Sequence, residues 1–151
     1  MKTKYIYVFF SLFVFIMLSS GCSLSQPSKI TASEYIKEVV VQNQKFNNSI
    51  GDVLDQVETY NGSEDAKERL NKLIDNSLEI INYLKNNLGP KVPSESSEHY
   101  KSMMEAYNLY SEGLEIYRDN VPKPLSDERK NNLKEAENKF EKGKEALKNI
   151  K

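Results

Sequence analysis

Groups that do chemistry are scarce in this chain of 151 residues, where cysteine and histidine occur once each. A lone cysteine cannot close an intrachain disulfide or supply a cysteine pair to a metal site. A lone histidine rules out the His-Glu-x-x-His pattern, and there is neither a Gly-x-Ser-x-Gly elbow nor a glycine-rich phosphate loop. Basic and acidic residues nearly cancel, 21 against 22, so the chain has no overall attraction for nucleic acid. No segment alternates polar and apolar residues with period two, and no sheet is expected. Glycines and prolines number only 6 and 5, and most fall between apolar-periodic stretches, where they read as helix ends. Nothing here assembles a reactive group, so the sequence reads as non-catalytic and without a cofactor.

What is present begins with a hydrophobic run. Met1-Lys2-Thr3-Lys4 leads into an apolar block of 14 residues from Tyr5 to Leu18, and Ser19-Ser20-Gly21-Cys22 follows. That block is shorter than the ~20 apolar residues needed to cross a bilayer as a helix, and it reads as a signal segment. Leu18 to Cys22 resembles the lipobox of bacterial lipoproteins, with Ser19 standing where that family usually has an apolar residue. The resemblance implies that residues 1–21 are a signal peptide and that Cys22 is lipidated and becomes the first residue. It also implies a protein held on the extracytoplasmic face of the cell membrane, with membrane lipid as a partner through Cys22. Two or more acyl chains, at ~0.8 kcal/mol per buried methylene, hold such a protein stably. The 18 lysines against 3 arginines, with plentiful asparagine and isoleucine, suggest an AT-rich genome and a low-GC Gram-positive source.

Removal of Lys2 and Lys4 leaves 19 basic residues against 22 acidic, a net charge of −3 on the mature chain. Residues 22–33 comprise the lipidated cysteine and short polar residues around Pro27, a flexible tether with no apolar period. Residues 34–151 are long enough for one domain with a modest core.

In that domain apolar residues recur in alternating steps of 3 and 4, the mark of helices facing other helices. The first helix, capped by Thr31 or Ser33, has a seam from Ile36 through Val39, Phe46, Ile50 and Val53 to Tyr60, with polar Asn43 in one slot. Val40, Val41 and Leu54 widen the seam toward a bundle face, and Asn61-Gly62 ends the helix. Ser63 caps the second, which runs from Ala66 through Ser77 to Leu88 and stops at Gly89-Pro90. Ser94 or Ser97 caps the third, with the seam Tyr100, Met103, Tyr107, Tyr110, Leu114, Tyr117 and Val121. Ser126 starts the fourth, whose seam of Leu133, Ala136, Phe140, Gly143, Leu147 and Ile150 is the most poorly filled. Short links force neighbours antiparallel, so the fold class is all-α: an up-down-up-down four-helix bundle. A three-helix bundle with a loosely docked C-terminal helix is the alternative.

Two groups of residues are candidate sites. The tyrosine seam, with Tyr100, Met103, Tyr107, Tyr110 and Tyr117, is either a packed core with hydroxyls at its edge or a partly open groove for a ligand or partner helix. Gly143 and Ala136 are the residues expected to leave such a groove open. His99, one turn before Met103 and Met104, is either a solvated histidine or a soft-metal ligand. Glu112 and Glu115 read as a solvated helix face. The half of the bundle nearest the tether carries 10 basic and 8 acidic residues, the far half 9 and 14. Lys142, Lys144, Lys148 and Lys151 are therefore expected to touch an anionic membrane surface. The functional expectation is a surface-anchored interaction lipoprotein whose partner is an envelope protein or a cell-wall component. A small-ligand or metal-binding lipoprotein is the alternative.

Overall fold

A capping box sets where the fold begins. In the computed structural model, which describes residues 29–148, the Glu34 backbone N–H donates to the Thr31 hydroxyl at 3.2 Å. The Thr31 backbone N–H donates back to the Glu34 carboxylate at 2.8 Å, so two otherwise orphaned donors are satisfied. Helix α1 therefore starts at Ala32, inside the stretch expected to be tether, and runs Ala32–Glu58. Ile30 is also held: its N–H donates to the Lys91 carbonyl at 3.2 Å and its side chain packs on the core. The signal segment, Cys22, most of the tether and Lys151 lie outside the described residues.

Gly62, at φ 83°, lets the chain reverse after α1, and Ser63 then caps α2, Glu64–Tyr83. The sequence suggests that α2 continues regularly to Leu88. Instead, Leu84–Leu88 form a π turn followed by a 3₁₀ turn, Gly89–Lys91. The widened turn frees carbonyls, and the Tyr100 hydroxyl donates to that of Leu84 at 3.1 Å. Gly89 makes this possible, because a Cβ there would lie 2.4 Å from the Tyr100 oxygen. Helix α3 spans Ser97–Asn120, entered through a 3₁₀ turn at Ser94–Ser96 rather than through a serine side-chain cap. Ser126 accepts from the Arg129 N–H at 3.1 Å and opens α4, Asp127–Lys148.

The described residues are all helix and turn, and the four helices pack together in alternating directions. One half of the core joins Tyr35, Val39 and Phe46 of α1 with Ile81, Met103, Tyr107 and Leu147. The other joins Val53 with Leu70, Ile74, Leu114, Tyr117, Ala136 and Phe140. Each half thus mixes the start of one helix with the end of the next, as up-down-up-down order requires. Buried Ser77 bridges to Ser49 at 2.7 Å and to the Leu73 carbonyl, so no hydroxyl is stranded.

The closest approach is the one expected to be loosest. Helix α4 lies tightly along α3 because each offers a glycine to a ring of the other. A Cβ on Gly113 would meet the Phe140 ring at 2.4 Å, and one on Gly143 would meet the Tyr110 ring at 2.9 Å. The gap in the α4 seam is therefore filled from α3, and the loosely docked arm is excluded.

Candidate functional site

Tyr107, Tyr110 and Tyr117 of α3 line up between α1 and α4 as an aromatic column, whereas Tyr100 lies apart from it against Leu84 and Gly89. Phe46 meets Tyr107 and Tyr110 edge-on at 4.8 and 5.1 Å between centroids, Tyr110 stacks on Phe140 at 5.7 Å, and Phe140 meets Tyr117 edge-on at 5.2 Å. Such geometries add to simple burial. Met103, Tyr107 and Tyr117 are buried, while Tyr100 and Tyr110 are partly so. The Tyr107 hydroxyl donates to the Asn43 side-chain oxygen, the polar slot in the first seam. Burial raises the pKa of Tyr107, and pushes those of Tyr110 and Tyr117 up to about 12, with Glu141 and Glu137 adding to the last two. These are neutral, packed phenols at physiological pH.

Of the two readings of this seam, the structure has the packed core, and the open groove is closed. What remains between α1 and α4 is a cleft of 20 Å³ lined by Asn43, Asn47, Tyr107, Tyr110, Lys144, Leu147 and Lys148. That is the room of about one water. A second hollow, of 400 Å³, lies on the outer side of α3 and α4 and involves none of the tyrosines. Glu112, Glu115, Glu135 and Lys139 border it, and a Lys139–Glu112 ion pair crosses it. The hydrogen bond that Lys139 donates to Glu112 raises its pKa, as do the charges of Glu112 and Glu135. Glu115 is bound to Arg118 at 3.3 Å, so Glu112 and Glu115 are both in ion pairs.

His99 is not the solvated residue expected. It is half-buried, its ring edge-on to Tyr35, and its Nδ1 lies 2.9 Å from the Tyr35 hydroxyl. Burial holds its pKa below the usual imidazole range. Met103 and Met104 behind it belong to the core, and among the described residues no three His, Cys, Asp or Glu side chains are gathered to hold a metal.

The candidate lysines divide. Lys144 has only 18% of its side chain exposed and turns into the α1–α4 cleft, 3.4 Å from Glu141. Lys148 borders the same cleft, whereas exposed Lys142 lies about 200° round the helix from Lys144. Among the described residues no helix is long and apolar enough to cross a membrane.

One surface was missed by the apolar pattern. Val40 and Val41, expected to widen the core face, are 42% and 45% exposed, and Ile36 is 38% exposed while neighbouring Tyr35 is buried. The core stripe of α1 is centred on Tyr35, Val39, Gln42 and Phe46, which turns these β-branched residues outward. Charge in the sequence does not mark them out, because exposed Glu34, Lys37 and Lys45 stand on the same helix beside them. Comparison with family models, curated proteins and solved structures finds no match for this chain.

Proposed function

We propose that this chain is a lipid-anchored interaction protein of the bacterial cell envelope, extracytoplasmic, and that it works by presenting a helical surface rather than by covalent chemistry. The observation that carries the reading is the exposed β-branched group of Ile36, Val40 and Val41 on α1, which begins within two turns of the point where the tether joins. An exposed apolar patch on a small soluble domain marks a contact surface more often than chance exposure. The lipobox resemblance at Leu18–Cys22 supports the anchor. The alternative of a small ligand or soft metal in the tyrosine seam has less support. Its side chains fill one another's space, and 20 Å³ stands against the roughly 300–1,000 Å³ of ordinary ligand pockets.

The anchor is tested first, because the reading depends on it. Replacing Cys22 with alanine should move the chain from the detergent phase to the aqueous phase, or leave an uncut precursor, and remove the lipid from its intact mass. Identical partitioning of both forms, with no lipid on either, would sink the proposal. The working surface is tested by Val40→Lys with Val41→Lys. These exposed positions should leave the melting temperature within about 2 °C of wild type while removing whatever the face binds.

A further inference from the structure

The two ends of the bundle differ in charge. Residues 29–38, 82–101 and 142–148, at the end where α1 starts, carry eight lysines against five glutamates. Residues 52–69 and 115–130, at the opposite end, carry ten acids against six bases. The acids of the basic end are Glu34, Glu38, Glu95, Glu98 and Glu145. Three of them are engaged locally: Glu34 in the Thr31 cap, Glu38 with Gln42 at 2.8 Å, and Glu95 with the Ser94 hydroxyl at 3.4 Å. The Gln42 bond lowers the Glu38 pKa most, and the charge of Lys91 adds a smaller part. Lys29, Lys85 and Lys91 are exposed and, among the described residues, stand in no ion pair.

Local structure fixes where these lysines stand. Leu84, Leu88 and Val92 are buried and pin the α2–α3 link to the core, which leaves Lys85 and Lys91 on its outer side. The Tyr100 hydroxyl holds the backbone of the link, 3.1 Å from the Leu84 carbonyl and 3.4 Å from that of Lys85. The Lys91 carbonyl accepts from the Ile30 N–H at 3.2 Å, so the link is joined directly to the chain that enters α1, and Lys29 comes with it.

We propose that this end of the bundle is a docking surface for an anionic lipid bilayer, with Lys85 and Lys91 of the α2–α3 link and Lys29 meeting the lipid phosphates. The proposal rests on the lipid-anchored reading and says which end of the domain the bilayer takes.

Chain length and charge together select the occupant. Eight residues lead from Cys22 to Ile30, a reach of at most about 28 Å when fully extended. Helix α1, with its 27 residues, is about 40 Å long. To turn its acidic end squarely to the bilayer the domain would have to hold Ile30 about that far from the lipid, which is beyond the reach of the chain. The basic end stays close. Each lysine near an anionic surface contributes up to about fivefold in affinity, within a Debye length of about 10 Å.

The test uses the full-length chain in vesicles of phosphatidylglycerol or of phosphatidylcholine, treated with a water-soluble lysine-acylating reagent and mapped by peptide mass spectrometry. On phosphatidylglycerol at low salt, Lys85 and Lys91 should react at least about threefold more slowly than on phosphatidylcholine, and added salt should remove the difference. Lys67 and Lys123, at the opposite end, should react equally on both. Equal reaction of Lys85 and Lys91 on the two lipids, or protection of Lys67 and Lys123 to the same degree, overturns the proposal. So does inorganic phosphate alone if it reproduces the protection on phosphatidylcholine, since that marks a site for the free anion. Lys85→Gln with Lys91→Gln, at exposed positions, should melt as wild type does and lose part of the protection of Lys29; full protection would overturn the role of the link. Intact mass of the same sample reports the lipid on Cys22. Unprotected lysines on a lipidated chain overturn the contact alone, whereas a chain without lipid overturns the anchor and the limit on reach with it.

Discussion

Asn43 shows how one polar residue changes meaning when its neighbour is known. In the sequence it is a gap in an apolar seam, the kind that fixes register at some expense of stability, and leucine there would raise the melting temperature. In the fold its side-chain oxygen accepts from the hydroxyl of Tyr107, which is 1% exposed. Asn43→Leu should therefore lower stability by about 1–3 kcal/mol by stranding that hydroxyl, and adding Tyr107→Phe should recover most of the loss. Thermal melts of the single and double variants decide it, and a rise in the single variant would refute the role given to Asn43. His99 makes a second case. Its folded-state pKa is depressed by burial, so protons bind the unfolded chain first. The stability it contributes is whole above the unfolded value of about 6.5 and drains away as pH falls toward its folded value. Melting temperature should thus decline as the pH drops below about 6.5, and His99→Gln should flatten the decline. A wild-type profile equally flat through that range would remove His99 as its cause. Neither partnership could be read from the sequence, because Tyr35 and His99, like Asn43 and Tyr107, are 64 positions apart.

At the scale of elements, periodicity located the helices and misjudged their fit. The 3-and-4 spacing placed all four, and Thr31, Ser63 and Ser126 cap as their positions suggested. Spacing tells which side of a helix faces inward, but it does not show that a small residue on one helix receives a ring from the next. Gly143 therefore looked like missing bulk, when the Tyr110 ring of α3 supplies it, and Gly113 of α3 in turn receives the Phe140 ring of α4. The same blindness turned Val40 and Val41 inward, since apolarity alone assigned them to the core. Three glycine-to-alanine variants separate the cases. Gly143→Ala places a Cβ 2.9 Å from the Tyr110 ring and 3.1 Å from the Ala106 carbonyl, so it should destabilise despite alanine's helix preference. Gly113→Ala should do the same through Phe140. Gly51→Ala has open space and should stabilise the single chain by up to about 1 kcal/mol. Denaturant unfolding of all three reads the signs.

For the whole molecule, topology and charge together decide what can face a membrane. Alternating helix directions bring the start of α1 to the same end as the last turns of α4, where Lys142, Lys144 and Lys148 lie. This much followed from short links and was legible in the sequence. What the sequence could not rank was the lysines, because a list of charges does not show which are already engaged. Lys144 is mostly covered and lies beside Glu141, whereas Lys142 and Lys148 are exposed. Near an anionic surface an exposed lysine contributes up to ~1 kcal/mol, about fivefold in affinity, and this falls off within a Debye length. A chain beginning at Ser23, which lacks the proposed anchor, should bind anionic vesicles in a salt-sensitive way. Lys142→Gln and Lys148→Gln should each weaken that binding several-fold, while Lys144→Gln should leave it nearly unchanged because its charge is already balanced by Glu141. Vesicle co-sedimentation at two salt concentrations measures all four chains. Equal losses from the three substitutions would mean that net charge alone governs binding, and the α1–α4 cleft would then have no part in setting how the domain meets the lipid.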